Sequence, residues 1–290
     1  MSGDAVYGGY AAGELQEQYS ARAAVPAHPA IFERWQAESA AWRAEATATG
    51  RARLALAYGA RERERIDLFL PASSPTNAPL HAFLHGGYWQ SMERGDFSFV
   101  ARGLTAAGFA VAVVGYPLCP DVTLADIVDS TRNALDWLHA RADGLGLSSG
   151  PIHVSGHSAG GHLAAMAAVR DARIGAAPIA GIAPVSGVFE LEPLVYTRIN
   201  AALRLDVATA RALSVHEVEP PTGVRLDAFV GGDESDEFQR QSGALVAAWE
   251  TRAGEAALLH RVTGRNHFTL LDALYAPDGP MVAAARAAAG

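Results

Sequence analysis

The sequence predicts an α/β protein in which a mostly parallel central sheet is flanked by helices on both faces. Compact apolar runs recur along the chain, and each ends at a turn or loop signal: LHAFLH (80–85), FAVAVVGY (109–116), PIHVSG (151–156), IAGIAPVSG (179–187) and LDAFVGG (226–232). Continuously apolar strands that alternate with helical patterns are typical of a parallel sheet buried on both faces. The run RIDLFLP, which follows Glu64, adds a shorter strand signal.

Apolar residues at spacings of three and four predict the helices. One pattern covers residues 30–49, with Ile31, Trp35 and Trp42 as candidates for its apolar face. Another helix carries Phe238, Leu245 and Trp249. A third follows Asp121, which we expect to cap its start, and its apolar positions are Leu124, Ile127, Val128, Thr131, Leu135 and Leu138.

The domain organisation follows from length and composition. The chain has 290 residues, half of them hydrophobic, which is enough to bury one large core. We therefore predict a single domain over residues 1–290, with an N-terminal helical extension at 1–60. Residues 190–222 are less periodic and contain two prolines, Pro220 and Pro221. We interpret this segment as an excursion between late strands that can form part of a cap.

Charge and cysteine content restrict the partners and the compartment. The net charge is -8 and no block of basic residues is present, which argues against binding to nucleic acid or to an anionic membrane surface. Cys119 is the single cysteine, so no internal disulfide can form, in keeping with a reducing compartment. The first thirty residues lack the pattern of a signal peptide, and no stretch is apolar and long enough to span a bilayer. We expect a cytoplasmic protein that acts on a small molecule; the sequence leaves a homodimer open.

The strongest chemical signal is Gly156-His157-Ser158-Ala159-Gly160, which matches the pattern G-x-S-x-G. It follows the strand IHVS and opens an apolar helix, the strand–turn–helix setting of a nucleophile elbow in α/β hydrolases. The small residues around Ser158 leave room for a strained turn, and the N-terminus of the helix favours developing negative charge. A glycine-rich turn with a chance serine is the alternative. We predict Ser158 as a nucleophile.

A second motif, His85-Gly86-Gly87-Tyr88-Trp89, follows the strand LHAFL. An HGG-type loop at this place can point backbone N–H groups at an oxyanion. We predict donors on Gly86, Gly87 and Ala159, the residue after the nucleophile. Tyr88 and Trp89 are candidates for substrate binding, although aromatic packing under the loop explains them equally well.

The base and the acid should follow the serine in the order Ser, Asp or Glu, His. Two histidines lie downstream of the last strand signal, His260 within a strand-like run and His267 in the polar turn GRNHF. A loop at a strand end can bring an imidazole to the serine, so we predict His267 as the general base. Asp233, Glu234 and Asp236 crowd one turn, and alternation cannot separate the first two as the acid.

These residues together resemble a known family. HGGYW (85–89), YPLCPDVTL (116–124), GHSAGGHL (156–163), SGVFELEPL (186–194), GGDESDEFQRQS (231–242) and NHF (266–268) are similar to the arylformamidase, or kynurenine formamidase, group of α/β hydrolases. The elbow is shared with many esterases, whereas HGGYW combined with the E-S-x-E-F-x-R-Q-S type of run is more specific. In this group the acid lies three residues before the glutamate of the E-F pair, so the resemblance implies Glu234.

The resemblance implies hydrolysis of N-formyl-kynurenine to kynurenine and formate through a formyl-serine intermediate. It implies no cofactor and no metal, and the histidines show no H-E-x-x-H spacing. A carboxylesterase for small acyl or aryl esters is the alternative, since one fold serves many substrates. A non-catalytic binding protein on the same scaffold is a remote third reading, because Ser158 and a downstream histidine are both present.

Overall fold

Eight strands form one sheet at the centre of the protein. The computed structural model describes residues 4–72, 77–169, 177–215, 220–253 and 257–289. Residues 216–219 of the predicted cap, and the first three residues of the predicted extension, lie outside this part of the chain. The described strands are β1 (Ala5–Tyr7), β2 (Tyr10–Ala11), β3 (Ala52–Ala57), β4 (Arg65–Phe69), β5 (Leu80–Leu84), β6 (Ala110–Val114), β7 (Ile152–His157), β8 (Ile179–Val185), β9 (Arg225–Gly231) and β10 (Ala257–Val262).

The order of strands in the large sheet is β10-β9-β8-β7-β5-β6-β4-β3. The six strands from β10 to β6 pair in parallel, whereas β4 pairs antiparallel with both β6 and β3. β1 and β2 form a separate antiparallel pair. The carboxyl ends of β5, β7, β8, β9 and β10 therefore meet along one edge, where α/β sheets bind their ligands.

Helices cover both faces of this sheet. The described α-helices are α1 (Ala12–Gln18), α2 (Ala21–Ala24), α3 (His28–Ala48), α4 (Ala101–Ala106), α5 (Leu124–Ala140), α6 (Ala142–Leu145), α7 (Ala159–Ala168), α8 (Glu192–Val195), α9 (Asn200–Leu203), α10 (Val207–Ala212), α11 (Asp236–Ala253), α12 (Thr269–Leu274) and α13 (Pro280–Ala289). A 3₁₀ helix, η1, spans Arg94–Val100.

Alternate residues of the strands divide the core into two clusters, one on each face. In β5, Ala82 and Leu84 belong to one cluster and Phe83 to the other. Helices α5, α7 and α11 contribute to the first cluster, and α3, η1, α12 and α13 contribute to the second. Both faces of the central strands are thus buried, which is why their sequences read as continuous apolar runs rather than as alternating ones.

The mostly parallel sheet with flanking helices confirms the predicted fold class. Each apolar run cited above forms a strand, and the predicted helix at 30–49 is α3, in which Trp35 and Trp42 are buried. The predicted extension at 1–60 differs from the structure, because it contains a small strand pair and β3, an edge strand of the central sheet. β3 has alternating half-buried and exposed residues, so it lacks the apolar run that revealed the inner strands.

The predicted cap of α5 was wrong. The helix begins after Thr123, not at Asp121: the Thr123 hydroxyl accepts from the N–H of Asp126, and the Asp126 carboxylate accepts from the N–H of Thr123 at 2.9 Å. This reciprocal pair is a capping box, which satisfies two helix-end donors at once. A lone aspartate at position 121 offers no such reciprocity.

His162, in the middle of α7, is a fully buried polar group. Its Nε2 donates to the Leu213 carbonyl at 2.8 Å, and its ring packs edge-on against Trp89, with 5.2 Å between ring centroids. Burial lowers the pKa of His162 to about 4, from an ordinary value of 6.5. The imidazole is therefore neutral in the folded protein at any pH above that value.

We expect the free energy of unfolding to fall as the pH is lowered from 7.5 to 5.5, and we expect His162→Gln to make that fall smaller. The unfolded chain takes up a proton at His162 below pH 6.5, while the folded chain does not. The contribution of His162 to the free energy of unfolding is therefore fully present above pH 6.5 and is lost as the pH drops towards the pKa of the folded state. One such group accounts for about 1 kcal/mol at pH 5.5. Urea denaturation at both pH values measures the change, with His139→Gln as the control. An unaltered pH dependence in His162→Gln would contradict this account.

Candidate active site

Ser158 occupies the sharp turn between β7 and α7. Its backbone has φ 56° and ψ −118°, in the left-handed region that non-glycine residues rarely adopt. The Ser158 N–H donates to the carbonyl of Val185 on the neighbouring strand β8 at 2.8 Å, which holds the strained turn against the sheet. A strained serine between a strand and a helix is the geometry of a nucleophile elbow.

Glycines make this turn possible because backbone groups lie where side chains would otherwise be. A Cβ on Gly160 would lie 2.0 Å from the Leu84 carbonyl oxygen and 2.6 Å from that of His85. A Cβ on Gly156 would lie 2.1 Å from the Gly160 carbonyl oxygen. Both distances are far below van der Waals contact, so neither position accepts a larger residue without a shift of the backbone.

The loop that follows β5 lies directly against the serine. A Cβ on Gly86 would be 3.2 Å from Ser158 Cβ and 3.0 Å from the His157 carbonyl oxygen. Gly87 has φ +114°, which strongly favours glycine. Among the contacts of the described residues, the N–H groups of Gly86 and Gly87 donate to no other group. The Ala159 N–H begins α7, where an intrahelical acceptor does not exist. Three backbone donors are therefore free beside Ser158.

His85 anchors this loop rather than taking part in proton transfer. Its ring stacks on Tyr116, with 4.2 Å between centroids, and the Tyr116 hydroxyl donates to the His85 carbonyl at 2.6 Å. Burial lowers the pKa of His85 to about 3. The neutral, stacked imidazole fixes the start of the loop.

The two aromatic residues of the loop have different surroundings. Tyr88 lines the cavity in front of Ser158, and its hydroxyl donates to the Tyr19 carbonyl at 2.6 Å. Trp89 is fully buried, is absent from the cavity wall and packs against His162. The sequence allowed two interpretations of Trp89. Its burial matches packing beneath the loop and does not match the expected contact with the substrate.

His267 follows β10 and faces the same cavity as Ser158. Its Nδ1 lies 2.7 Å from Glu234 Oε2, and since a carboxylate only accepts, Nδ1 carries the proton. The ring lies between His157 and Phe238, each with its centroid 4.7 Å away. Within the described residues Ser158 Oγ makes no hydrogen bond to His267, and contacts of this kind often tighten only around a substrate.

His157 holds the backbone of the loop that carries His267. Its Nε2 donates to the His267 carbonyl at 2.8 Å. Burial, and the nearby His267 ring, hold the pKa of His157 far below its ordinary value. His157 is consequently a neutral positioning residue.

Glu234 is the carboxylate beside the imidazole. Its second oxygen, Oε1, accepts from the Ser186 hydroxyl at 2.5 Å and from the Gly231 N–H at 2.7 Å, and its side chain is 1% exposed. Asp233 is exposed, and only its backbone is engaged, through an N–H that donates to the Arg265 carbonyl. The geometry thus brings together Ser158, His267 and Glu234, and leaves Asp233 outside. Sequence reasoning missed Ser186, although it begins the cited SGVFELEPL motif.

A cavity of about 480 Å³ opens in front of Ser158 and His267. One wall comes from the loop after β5, including Gly87, Tyr88 and Ser91. Another part of the wall comes from the N-terminal segment, which sequence reasoning did not connect with the site: Gln16, Tyr19, Ser20, Ala21, Arg22 and Ala23. From the described part of the predicted cap, Ile199 reaches the cavity. The N-terminus therefore supplies most of the covering that we had expected from residues 190–222.

Residues 12–25, which we call the N-terminal strap, are fixed to the catalytic face by buried polar contacts. The Tyr19 hydroxyl donates to Glu237 Oε2 and accepts from Gln241 Nε2, both at 2.7 Å. The Ser235 hydroxyl, next to Glu234 in sequence, donates to the Gln18 carbonyl at 2.7 Å. These contacts tie the strap to the start of α11 and to the acid turn.

Within the described ranges, no group of three or more His, Cys, Asp or Glu side chains is arranged to hold a metal ion. None of the described helices combines the length and the apolar character required to cross a membrane.

The chain and its fold resemble those of known hydrolases. The family model BD-FAE matches residues 66–177. A crystal structure from Silicibacter sp. TM1040, described as a candidate thioesterase, is 31% identical and superposes with a TM-score of 0.81 over 94% of this chain and 99% of that one. Esterase B from Lactobacillus rhamnosis, at 20% identity and a TM-score of 0.65, covers 88% of this chain and 91% of its own and shares the fold. The protein is an α/β hydrolase.

Curated relatives narrow the family. Kynurenine formamidase of Danio rerio is 32% identical over 225 residues, which are 75% of each chain. Kynurenine formamidase of Salmo salar is 30% identical over 228 residues, which are 76% of each chain. The chain belongs to the kynurenine formamidase family, as the resemblance of its motifs implied.

We expect Glu234→Gln to reduce kcat by a factor of about 10³–10⁴, because the neutral amide stabilises neither the correct tautomer nor the protonated imidazole. Asp233→Asn is the matched control next in sequence, and its kcat should stay within about twofold of wild type because its side chain is exposed. Steady-state rates on any substrate that wild type cleaves measure both. A larger loss in Asp233→Asn than in Glu234→Gln would refute the assignment.

Gly160→Ala should inactivate the enzyme and lower its melting temperature, because the new methyl group overlaps the Leu84 and His85 carbonyls. Gly144→Ala is the control, since nothing lies within 4 Å of its Cβ position. Thermal denaturation and steady-state rates are the measurements. Wild-type activity in Gly160→Ala would show that the elbow and the loop are not in the close contact described here.

Proposed function

We propose that the protein hydrolyses an aryl formamide, N-formyl-kynurenine, to kynurenine and formate, with Ser158, His267 and Glu234 as its catalytic triad. The observation that carries the proposal is the hydrogen bond between His267 and Glu234, because His267 lines the same cavity as the elbow serine, Ser158, and as Gly87 of the glycine loop. The activity printed for the curated relatives supports the choice of substrate.

In the first step His267 Nε2 takes the proton of the Ser158 hydroxyl as the serine oxygen attacks the formyl carbon. Glu234 accepts the Nδ1–H bond throughout and stabilises the imidazolium that forms. The carbonyl oxygen becomes an oxyanion, which the N–H groups of Gly86, Gly87 and Ala159 bind. Donors of this kind are each worth a factor of about 10²–10³ in turnover.

The tetrahedral intermediate then collapses. The carbon–nitrogen bond breaks, the aniline nitrogen takes the proton from His267 Nε2, and kynurenine leaves behind a formyl ester on Ser158. In the second half His267 deprotonates a water molecule that attacks this ester. Formic acid departs as His267 returns its proton to the Ser158 oxygen, and the released acid ionises in water to formate and a proton.

The decisive experiment compares N-formyl-kynurenine with p-nitrophenyl acetate for wild type and Ser158→Ala. We expect a clearly higher kcat/KM for the formamide, and loss of both activities in Ser158→Ala by a factor of about 10³ or more. Labelling by a fluorophosphonate probe should disappear in the same variant, which would dispose of a non-catalytic binding role. Cleavage of the ester alone would overturn the formamidase proposal and establish an esterase.

A carboxylesterase for small acyl or aryl esters is the second candidate. The specific support is the fold shared with esterases, together with a triad and donor loop that act on ester and formamide carbonyls alike.

The proposal includes a single domain over residues 1–290 and a cytoplasmic protein, and it leaves a homodimer open. Core clusters on both faces of one sheet support the single domain. The free, buried thiol of Cys119 agrees with a reducing compartment. Light scattering coupled to size-exclusion chromatography measures the number of subunits.

A further inference from the structure

Arg22 stands out among the residues around the catalytic cavity. Of the described residues that line the cavity, Arg22 alone carries a permanent charge; the others are neutral polar, aromatic or apolar, apart from the titratable His267. Arg22 is exposed to solvent while it contributes to the cavity wall. A full positive charge at the edge of an otherwise uncharged pocket attracts an anionic group on the ligand and discriminates against a neutral one.

The position of Arg22 relative to the reacting groups is set by a short chain of hydrogen bonds. Its Nη2 donates to Ser91 Oγ at 3.2 Å, and Ser91 Oγ donates to the Gly87 carbonyl at 3.0 Å. Gly87 is one of the residues with a free N–H beside Ser158. The side chain of Ser91 therefore links the guanidinium to the glycine loop, and all three residues line the cavity.

The backbone that carries Arg22 is held in place. Tyr88 and Ser235 donate to the strap carbonyls of Tyr19 and Gln18, and the guanidinium carbon lies 5.6 Å from the centroid of the Phe32 ring. Within the described residues, the guanidinium of Arg22 hydrogen-bonds to Ser91 and pairs with no carboxylate, so most of its donors are available to a ligand. An arginine has five N–H donors, of which the bond to Ser91 uses one.

We propose that Arg22 is a specificity-determining residue that binds a carboxylate on the side chain of the aryl formamide. This inference rests on the proposed function and deepens it, because it assigns the residue that binds the carboxylate of the substrate's amino-acid side chain. The planar guanidinium binds a carboxylate through paired N–H bonds, and the attachment orients the formyl group towards Ser158. Neutral aryl formamides and neutral esters lack this contact.

The test measures kcat/KM of wild type, Arg22→Gln and Arg22→Lys on a matched pair of substrates. The pair is N-formyl-kynurenine and its carboxamide, which keeps the ammonium group and the shape but lacks the negative charge. We expect Arg22→Gln to lose about tenfold on the acid, mainly through KM, and less than twofold on the carboxamide. Arg22→Lys should recover part of the loss, because it restores the charge without the planar fork. The preference for the acid should weaken at high salt.

Arg198→Gln is the control variant. Arg198 is exposed and its backbone N–H donates to Gln16 of the strap at 2.7 Å, but its side chain is not part of the cavity wall. Arg198→Gln removes the same charge from a neighbouring surface and should leave kcat/KM unchanged for both substrates. Equal losses on the acid and the carboxamide in Arg22→Gln would assign Arg22 a purely structural role and overturn the proposal, as would no loss on either.

A separate measurement keeps this inference distinct from the formamidase proposal. Kynurenine carries the same carboxylate and should inhibit the hydrolysis of p-nitrophenyl acetate competitively. Arg22→Gln should raise its inhibition constant about tenfold, with 2-aminoacetophenone unchanged as an inhibitor. If no formamide is cleaved but this shift is seen, the carboxylate site stands and the proposed reaction fails. If formamides are cleaved and the shift is absent, the reaction stands and the carboxylate site fails.

Discussion

The active site depends on one close contact, between the backbone at Gly160 and the carbonyl groups that end β5. Because β5 and β7 are adjacent parallel strands, the first turn of α7 begins where β5 turns into the glycine loop. The nucleophile and the oxyanion donors are therefore parts of one packed unit. Stabilisation of an oxyanion requires donors placed to within tenths of an ångström before the reaction begins, and a close-packed backbone provides that placement. The strain at Ser158 persists for the same reason, since the surrounding contacts leave the turn no space to relax.

The second requirement of the site is a buried carboxylate whose oxygens are hydrogen-bonded. A carboxylate removed from water costs several kcal/mol unless its oxygens are hydrogen-bonded. Glu234 meets this condition with three donors, from Ser186, Gly231 and His267. The strand order supplies them: Ser186 follows β8, Gly231 ends β9 and His267 follows β10, so neighbouring carboxyl ends converge on one side chain. The environment of Glu234 therefore depends on the order of strands in the sheet as well as on the turn that carries it.

Features that are determined locally could be predicted from the sequence, whereas features that depend on contacts between distant residues could not. The inner strands were predictable because burial on both faces makes each of them a continuous apolar run, and the elbow because its glycines are required locally. Glu234 and Asp233 could not be separated from local pattern, since the choice rests on contacts with residues 48 and 33 positions away in the chain; the family resemblance supplied what the pattern could not. β3 was missed because an edge strand need not be apolar. The role of Trp89 stayed open because the same aromatic side chain suits a pocket wall and a core.

In the proposed mechanism, the N-terminal strap separates substrate selection from the groups that carry out the chemistry. The hydroxyl of Tyr19 both donates and accepts in the buried contacts with Glu237 and Gln241, and burial together with Glu237 raises the pKa of Tyr19, so the hydroxyl stays protonated. The strap is thus held by a neutral, fully hydrogen-bonded group, and its neighbouring residues line the cavity together with the glycine loop. The sheet positions the proposed triad and the proposed oxyanion donors, whereas the strap lies outside the sheet and contributes the cavity's only permanent charge among the residues described. Because none of the proposed reacting groups belongs to the strap, a change of a strap side chain that lines the cavity can alter the preferred substrate while the chemistry remains the same.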